Sequence, residues 1–64
     1  MATNMNPYAV DVQDATGDRF TLNYWTASVS AIPEAVARES AQFLAWHPTQ
    51  VEQATLTILA IRPR

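Results

Sequence analysis

The sequence predicts a small α+β domain in which a three-stranded antiparallel sheet carries one helix on one face. Two runs of alternating polar and apolar residues precede a helical stretch, Ser30 to Pro48, and a third strand-like run follows it. The element order is therefore β-β-α-β. Because the helix returns the chain, the third strand is expected to lie antiparallel to the first, which gives the spatial order 2-1-3.

Composition places the chain among small globular proteins. Its 64 residues make one domain, 1–64, of which 48% are hydrophobic and 16% charged. No cysteine is present, so disulfides and thiolate metal sites are excluded. The net charge of −2 argues against direct binding of nucleic acid, which needs clustered basic residues. The polar, aperiodic segment Met1 to Asn6 is expected to be disordered.

The first two strands are predicted from their alternation. After Pro7 the residues Tyr8, Val10 and Val12 share one side, and Ala9, Asp11 and Gln13 share the other. The segment from Asp14 to Asp18 predicts a hairpin loop with Gly17 at positive φ, since a calcium loop would need further oxygen ligands. The second strand, Arg19 to Ala27, continues the core face with Phe20, Leu22 and Tyr24. It leaves Trp25 facing outward.

The helix prediction rests on its apolar stripe and its end signals. Ile32, Val36, Phe43 and Leu44 fall on one side of the helix, with Ser40 in their middle. Ser30 is the best N-cap candidate, Pro33 suits the first turn, and Pro48 stops the helix. Glu34 and Arg38 are spaced for an ion pair, and the Ser40 hydroxyl is expected to bond back to the preceding turn.

The last strand is predicted over Ala54 to Arg62, after a connection spanning Thr49 to Gln53. Its alternation places Ala54, Leu56, Ile58 and Ala60 on one face, and Thr55, Thr57, Leu59 and Ile61 on the other. Leu59 and Ile61 are thereby expected beside Trp25 on the uncovered face of the sheet. Such an apolar patch would mark a partner site, and edge strands offer another route to a partner. Trp46, on the helix flank, is a second candidate anchor.

The sequence offers no catalytic signature. There is one histidine, His47, whose position beside Pro48 favours an interaction with the helix C-terminus rather than catalysis. Gly17 is the only glycine, so no glycine-rich phosphate loop is present. We therefore expect no enzyme activity, no cofactor and no metal. No stretch has the length of a membrane helix, and no secretory leader is recognised, so we expect a cytoplasmic protein that does not bind membranes.

From Phe20 onward the chain resembles the short inhibitors of bacterial RNA polymerase made by podophages of enteric bacteria. The similarity spans roughly 45 residues. It comprises a phenylalanine opening the second strand (Phe20), the pair Glu34-Ala35 opening the helix, Trp46 shortly before Pro48, and the final triplet Ile61-Arg62-Pro63. The family's second arginine, two residues before Arg62, is replaced by Ala60. Ala37 and Ser40 stand where the family's acidic strip would continue beyond Glu34.

The resemblance implies a non-enzymatic phage protein, acting in the cytoplasm of its bacterial host, that binds the polymerase β′ subunit. It implies that Arg62 is needed for that binding, and we add Glu34 and Trp25 as contact residues. Two alternatives stay open. One is an inhibitor of a host defence complex of the anti-CRISPR kind. The other is a structural protein that forms a homodimer through the apolar face of its sheet.

Overall fold

A computed structural model describes residues 4–64 of the chain. The elements, in chain order, are β1 (Asn6–Asp14), β2 (Arg19–Thr26), α1 (Ile32–Trp46), α2 (Val51–Ala54) and β3 (Leu56–Pro63). The strands form one sheet in the order β2-β1-β3, and β1 is antiparallel to both neighbours. The predicted α+β architecture, with strand order 2-1-3, is confirmed.

The core lies between β1 and the N-terminal half of α1. Val10, Val12 and Ile32 are fully buried, and Val36 is nearly so. Half-buried side chains from all three strands surround them: Tyr8, Leu22, Tyr24, Leu56, Ile58 and Ile61. The predicted stripe of α1 therefore does face the sheet, although its later members, Phe43 and Leu44, are only half-buried.

The loop between β1 and β2 is a tight turn closed by the backbone of Asp14. Its carbonyl accepts the N–H of Gly17 at 3.1 Å, and its own N–H donates to the carbonyl of Asp18 at 2.9 Å. Gly17 has a φ of +96°, which a residue with a Cβ adopts only at a cost. The predicted hairpin loop and the positive φ of Gly17 are both confirmed.

The side chain of Asp14 holds this turn together. Its Oδ1 accepts hydrogen bonds from the hydroxyl and the N–H of Thr16, and from the N–H of Asp18 at 3.1 Å. The hydroxyl of Thr16 is the largest cause that lowers the pKa of Asp14. The carboxylate thus stays ionised and satisfies donors that the turn leaves unpaired.

The start of α1 differs from the prediction. Ser30 is not the N-cap of α1, because a 3-10 turn over Val29–Ala31 precedes the helix, and Ser28 caps that turn by accepting the N–H of Ser30 at 3.3 Å. The helix itself begins at Ile32, with Pro33 in its first turn, where no N–H is needed. The predicted back-bond of Ser40 is confirmed, since its hydroxyl donates to the carbonyl of Val36 at 3.1 Å.

The remaining boundaries also shift. β1 includes Asn6, which the sequence placed in a disordered segment, while residues 1–3 of that segment lie outside the described residues. The single helical turn α2 begins within the predicted connection and extends to Ala54, so β3 begins at Leu56 rather than Ala54. Ala54 is buried at the end of α2. The carbonyl of Glu52 accepts the N–H of Ala15 at 3.1 Å, which ties α2 to the β1–β2 loop.

A β-bulge in β3 reverses the predicted faces of the residues that follow it. Val12 is paired with Ile58 and Asp11 with Ala60, so Leu59 is the extra residue and the alternation shifts by one position beyond it. Ile61 is therefore opposite Val10 and packs against the core. The expectation that Ile61 lies on the uncovered face is wrong.

Candidate partner-binding surface

The side of the sheet away from α1 carries three of the six candidate residues, Trp25, Leu59 and Arg62, and we call it the open face. Alternation along β1 and the pairing of β2 and β3 with it place these residues there: Ala9, Asp11, Gln13, Arg19, Thr21, Asn23, Trp25, Thr57, Leu59, Ala60 and Arg62. Most of these side chains are polar. The open face is therefore not the continuous apolar patch that the sequence predicts.

One carboxylate joins the three strands across the open face. Asp11, on the central strand, accepts a hydrogen bond from the hydroxyl of Thr21 on β2 at 2.8 Å and from Nη2 of Arg62 on β3 at 2.9 Å. The hydrogen bond from Arg62 is the largest cause that lowers the pKa of Asp11, and the bond from Thr21 adds to it. Asp11 is therefore ionised at neutral pH and holds the guanidinium of Arg62 in place.

Most hydrogen-bond donors of Arg62 remain available despite this ion pair. Its side chain is 58% exposed, and only one of its guanidinium nitrogens is bonded to Asp11. A guanidinium carries five N–H donors in a fixed planar arrangement, and the others can meet an acceptor on another molecule. Arg62 is thus a preoriented cation at the surface.

Trp25 lies on the same face and toward the same end as Arg62. It is opposite Pro7 in an unbroken β1–β2 register and is 68% exposed, so its predicted outward position is confirmed. Arg62 is opposite Ala9 on the other side of β1. Strand spacing and rise place the two Cα atoms roughly 12 Å apart. An indole and a guanidinium at that separation can contact one partner together.

Glu34 lies beside Trp25, in a groove that Arg62 does not line. Both line a groove of about 220 Å³ between β2 and the start of α1, together with Arg38. Glu34 and Arg38 form the predicted ion pair at 3.3 Å, and both side chains are largely exposed. The charge of Glu34 is therefore partly neutralised by its own helix.

Leu59 and Ile61 are separated by the bulge. Leu59 is 45% exposed and borders a shallow cavity with Asp11, Arg19 and Thr21, which places it on the open face as predicted. Ile61 packs against the core instead. Alternation alone could not reveal this, because a bulge leaves no signature in the polarity of β3.

Trp46 stands apart from the other candidates. It is the last residue of α1 and is 83% exposed. Twelve helical positions separate it from Glu34, which amounts to roughly 18 Å along the axis. His47 follows it and donates its backbone N–H to the carbonyl of Phe43 at 2.9 Å. The centroids of its ring and the Phe43 ring are 4.8 Å apart, and the two rings are tilted by 38°. A partner that contacts Trp25 and Arg62 would have to extend along the helix to reach Trp46.

Sequence reasoning did not identify two features of the helix side. A largely apolar cavity of about 320 Å³ lies between the second half of α1 and the sheet, lined by residues that include Phe20, Leu22, Phe43 and Leu56. Near it, the hydroxyl of Tyr24 donates to Glu39. Desolvation and this carboxylate both raise the pKa of Tyr24. The aromatic residues on the inner face of β2 could have indicated the cavity. No sequence pattern indicates the hydrogen bond between Tyr24 and Glu39.

Over residues 4–64, no cluster of three or more histidine or acidic side chains has the geometry to hold a metal ion. Within the same range, no helix has the length and apolar character required to cross a membrane. No family model, no curated protein and no solved structure matches the chain. The open face is therefore the guide to function, and its chemistry is an exposed guanidinium and an exposed indole on the same side of the sheet.

Proposed function

We propose that this chain is a non-enzymatic, phage-encoded inhibitor that binds bacterial RNA polymerase through its β′ subunit in the cytoplasm of the host. The resemblance to the podophage inhibitors suggests the target, and it assigns the essential contact to the arginine of the final Ile61-Arg62-Pro63 triplet. The observation that carries the proposal is the exposure of the Arg62 guanidinium, held by Asp11 and aimed away from the core.

In this proposal Arg62 and Trp25 are the central contacts. Arginine and tryptophan are the residue types most enriched among interface hot spots, because they combine a large contact area with directional hydrogen bonds. The target surface would carry carboxylates for Arg62 and an apolar recess for Trp25. Leu59 extends the contact along β3, and Glu34 contributes at the rim of the groove beside Trp25.

Ile61 and Trp46 have different roles in this proposal. Ile61 packs against the core and holds the end of β3 in register, so it supports Arg62 without touching the target. Trp46 would be reached only by a target that also contacts the far end of α1.

The test is affinity capture followed by transcription. The tagged chain is incubated with a bacterial lysate, bound proteins are identified by mass spectrometry, and purified polymerase is then assayed for promoter-dependent transcription with and without the chain. We expect the β′ subunit among the captured proteins, together with loss of transcription.

The matched control removes the same charge from a nearby position. Arg62→Gln should strongly weaken capture, whereas Arg64→Gln, two residues further on, should leave it unchanged. Capture of a host defence nuclease complex while transcription continues would contradict the proposal, and so would a capture that is insensitive to Arg62→Gln.

A further inference from the structure

The two edges of the sheet differ in how well they are protected from further strand pairing. β3 carries a bulge at Leu59, a charge at Arg62 and a proline at its end, and natural edge strands use all three to prevent pairing. β2, Arg19–Thr26, has eight residues without proline, glycine or bulge. Within residues 4–64, β1 is the only strand that pairs with it. The outer edge of β2 therefore presents unpaired backbone groups.

The hairpin shows which groups these are. Asp14 and Asp18 form the hydrogen-bonded pair that closes the turn. Antiparallel pairs alternate between hydrogen-bonded and non-hydrogen-bonded, so the even-numbered residues of β2 direct their N–H and C=O groups to β1. The odd-numbered residues direct theirs outward. These are Arg19, Thr21, Asn23 and Trp25.

We propose that the outer edge of β2 pairs with β2 of a second copy of the chain, antiparallel and about a twofold axis at Leu22, to form a six-stranded sheet. Backbone hydrogen bonds form only where a residue with outward-directed N–H and C=O groups is opposite another such residue. The possible registers therefore differ from one another by two residues. Centring on Leu22 sets Arg19 opposite Trp25 and Thr21 opposite Asn23. It gives the longest overlap, with about eight backbone hydrogen bonds.

Electrostatic complementarity between a cation and an aromatic ring favours a second copy as the occupant. Arg19 is the only charged side chain of β2. In this register it lies opposite the exposed indole of Trp25 from the other copy, where a guanidinium gains a cation–π interaction. The two Arg19 side chains lie roughly 20 Å apart along the strands, so they do not repel each other. The strand is thus complementary to itself.

The side of the sheet that faces α1 also contributes contacts to the proposed interface. Phe20 is 42% exposed, although it belongs to the face that packs toward α1. The same register sets it opposite Tyr24 of the second copy, and aromatic cross-strand pairs stabilise sheets. Phe20 also lines the apolar cavity below α1, so the second copy would cover its rim.

Cysteine pairing tests both the interface and its register. The chain has no cysteine of its own, and Thr21 and Asn23 are exposed. We expect Thr21→Cys and Asn23→Cys to give no disulfide dimer separately, because their own copies would lie roughly 9 Å apart. Mixed in equal amounts with oxidised glutathione, the two variants should form a disulfide-linked heterodimer. An Asn23→Cys and Thr57→Cys mixture is the matched control and should form no disulfide-linked heterodimer, because Thr57 lies on β3, away from the proposed interface.

Two further measurements make the result decisive. Light scattering on the unmodified chain should show the mass rising from 7.1 kDa toward twice that value as concentration increases. Amide exchange of the β2 residues should slow with concentration at Arg19, Thr21, Asn23 and Trp25, whose N–H groups point outward, and not at the even-numbered residues. A monomer at millimolar concentration, or a disulfide dimer of Asn23→Cys alone, would overturn the proposal. Neither outcome depends on whether the chain captures polymerase.

Discussion

Nη2 of Arg62 lies 2.9 Å from Oδ1 of Asp11, across 51 positions of sequence. This ion pair links the last strand to the centre of the sheet, and it involves the residue to which we assign partner binding. Loss of Arg62 would therefore change both the sheet and the proposed contact, and the two effects need to be measured separately.

Two substitutions separate the effect on the sheet from the effect on partner binding. Arg62→Gln and Asp11→Asn each remove the ion pair, but only the first removes the guanidinium from the surface. We expect Arg62→Gln to weaken capture of the target by about 30-fold, the loss typical of a hot-spot arginine. Asp11→Asn should leave capture within a few fold of the unmodified chain. Titration calorimetry against purified polymerase checks this, and an equal loss in both variants would indicate a purely structural role for Arg62.

Alkaline stability should depend on Tyr24. Its pKa is raised in the folded chain above the ordinary value of 10.0, by desolvation and by the carboxylate of Glu39. Because the pKa is higher in the folded chain, the phenol of Tyr24 loses its proton at a lower pH in the unfolded chain. Its contribution to the free energy of unfolding is therefore fully present below pH 10 and is lost as the pH rises above that value. We expect Tyr24→Phe to show a shallower loss of stability above pH 10. Denaturant unfolding followed between pH 8 and 11 would reveal the difference, and identical slopes would exclude it.

The β1–β2 loop should tolerate asparagine better than alanine at Gly17. A Cβ added at this position would meet only Nε2 of Gln13, at 4.0 Å, so the cost comes from the backbone φ of +96° rather than from a clash. We expect Gly17→Ala to lower the free energy of unfolding by about 1–2 kcal/mol. Gly17→Asn should cost less, since asparagine enters the left-handed region more readily. Urea unfolding of the two variants gives the comparison, and equal costs would point to a steric cause instead.

The small core should be sensitive at Ile32, which is fully buried. We expect Ile32→Val to cost about 0.5–1.5 kcal/mol and Ile32→Ala about 2–5 kcal/mol. In a domain of this size the larger loss is a substantial part of the total stability. Trp46→Ala is the matched control, because a side chain that is 83% exposed should change stability by less than about 0.5 kcal/mol. Thermal unfolding by circular dichroism measures all three variants. A Trp46→Ala loss comparable to that of Ile32→Ala would mean that the indole packs on the domain.

Much of the fold followed from local pattern. Alternation with period two identified β1 and β2, and the position of Gly17 between them identified the hairpin. The outward position of Trp25 also followed, because the β1–β2 register is unbroken. The start of the helix was predicted less accurately, because a 3-10 turn capped by Ser28 precedes α1 and moves its first residue to Ile32.

The candidate surface was harder to predict because it depends on how β3 meets β1. The bulge at Leu59 adds one residue against Asp11, and every side chain beyond it changes face. Ile61 moves to the core for this reason. Arg62 moves to the open face, where it meets the carboxylate of Asp11. Both effects arise between strands, so no property of β3 alone predicts them.

The sequence by itself determined the element order, the hairpin, the apolar stripe of the helix and the exposure of Trp25, because each depends on the polarity of residues close together in the chain. Only the tertiary structure decided which side of the sheet Ile61 and Arg62 occupy, that Asp11 holds Arg62, and that Tyr24 meets Glu39. The physical reason is that strand register and side-chain pairing minimise the free energy of the whole sheet. The residues that meet there are 15 to 51 positions apart.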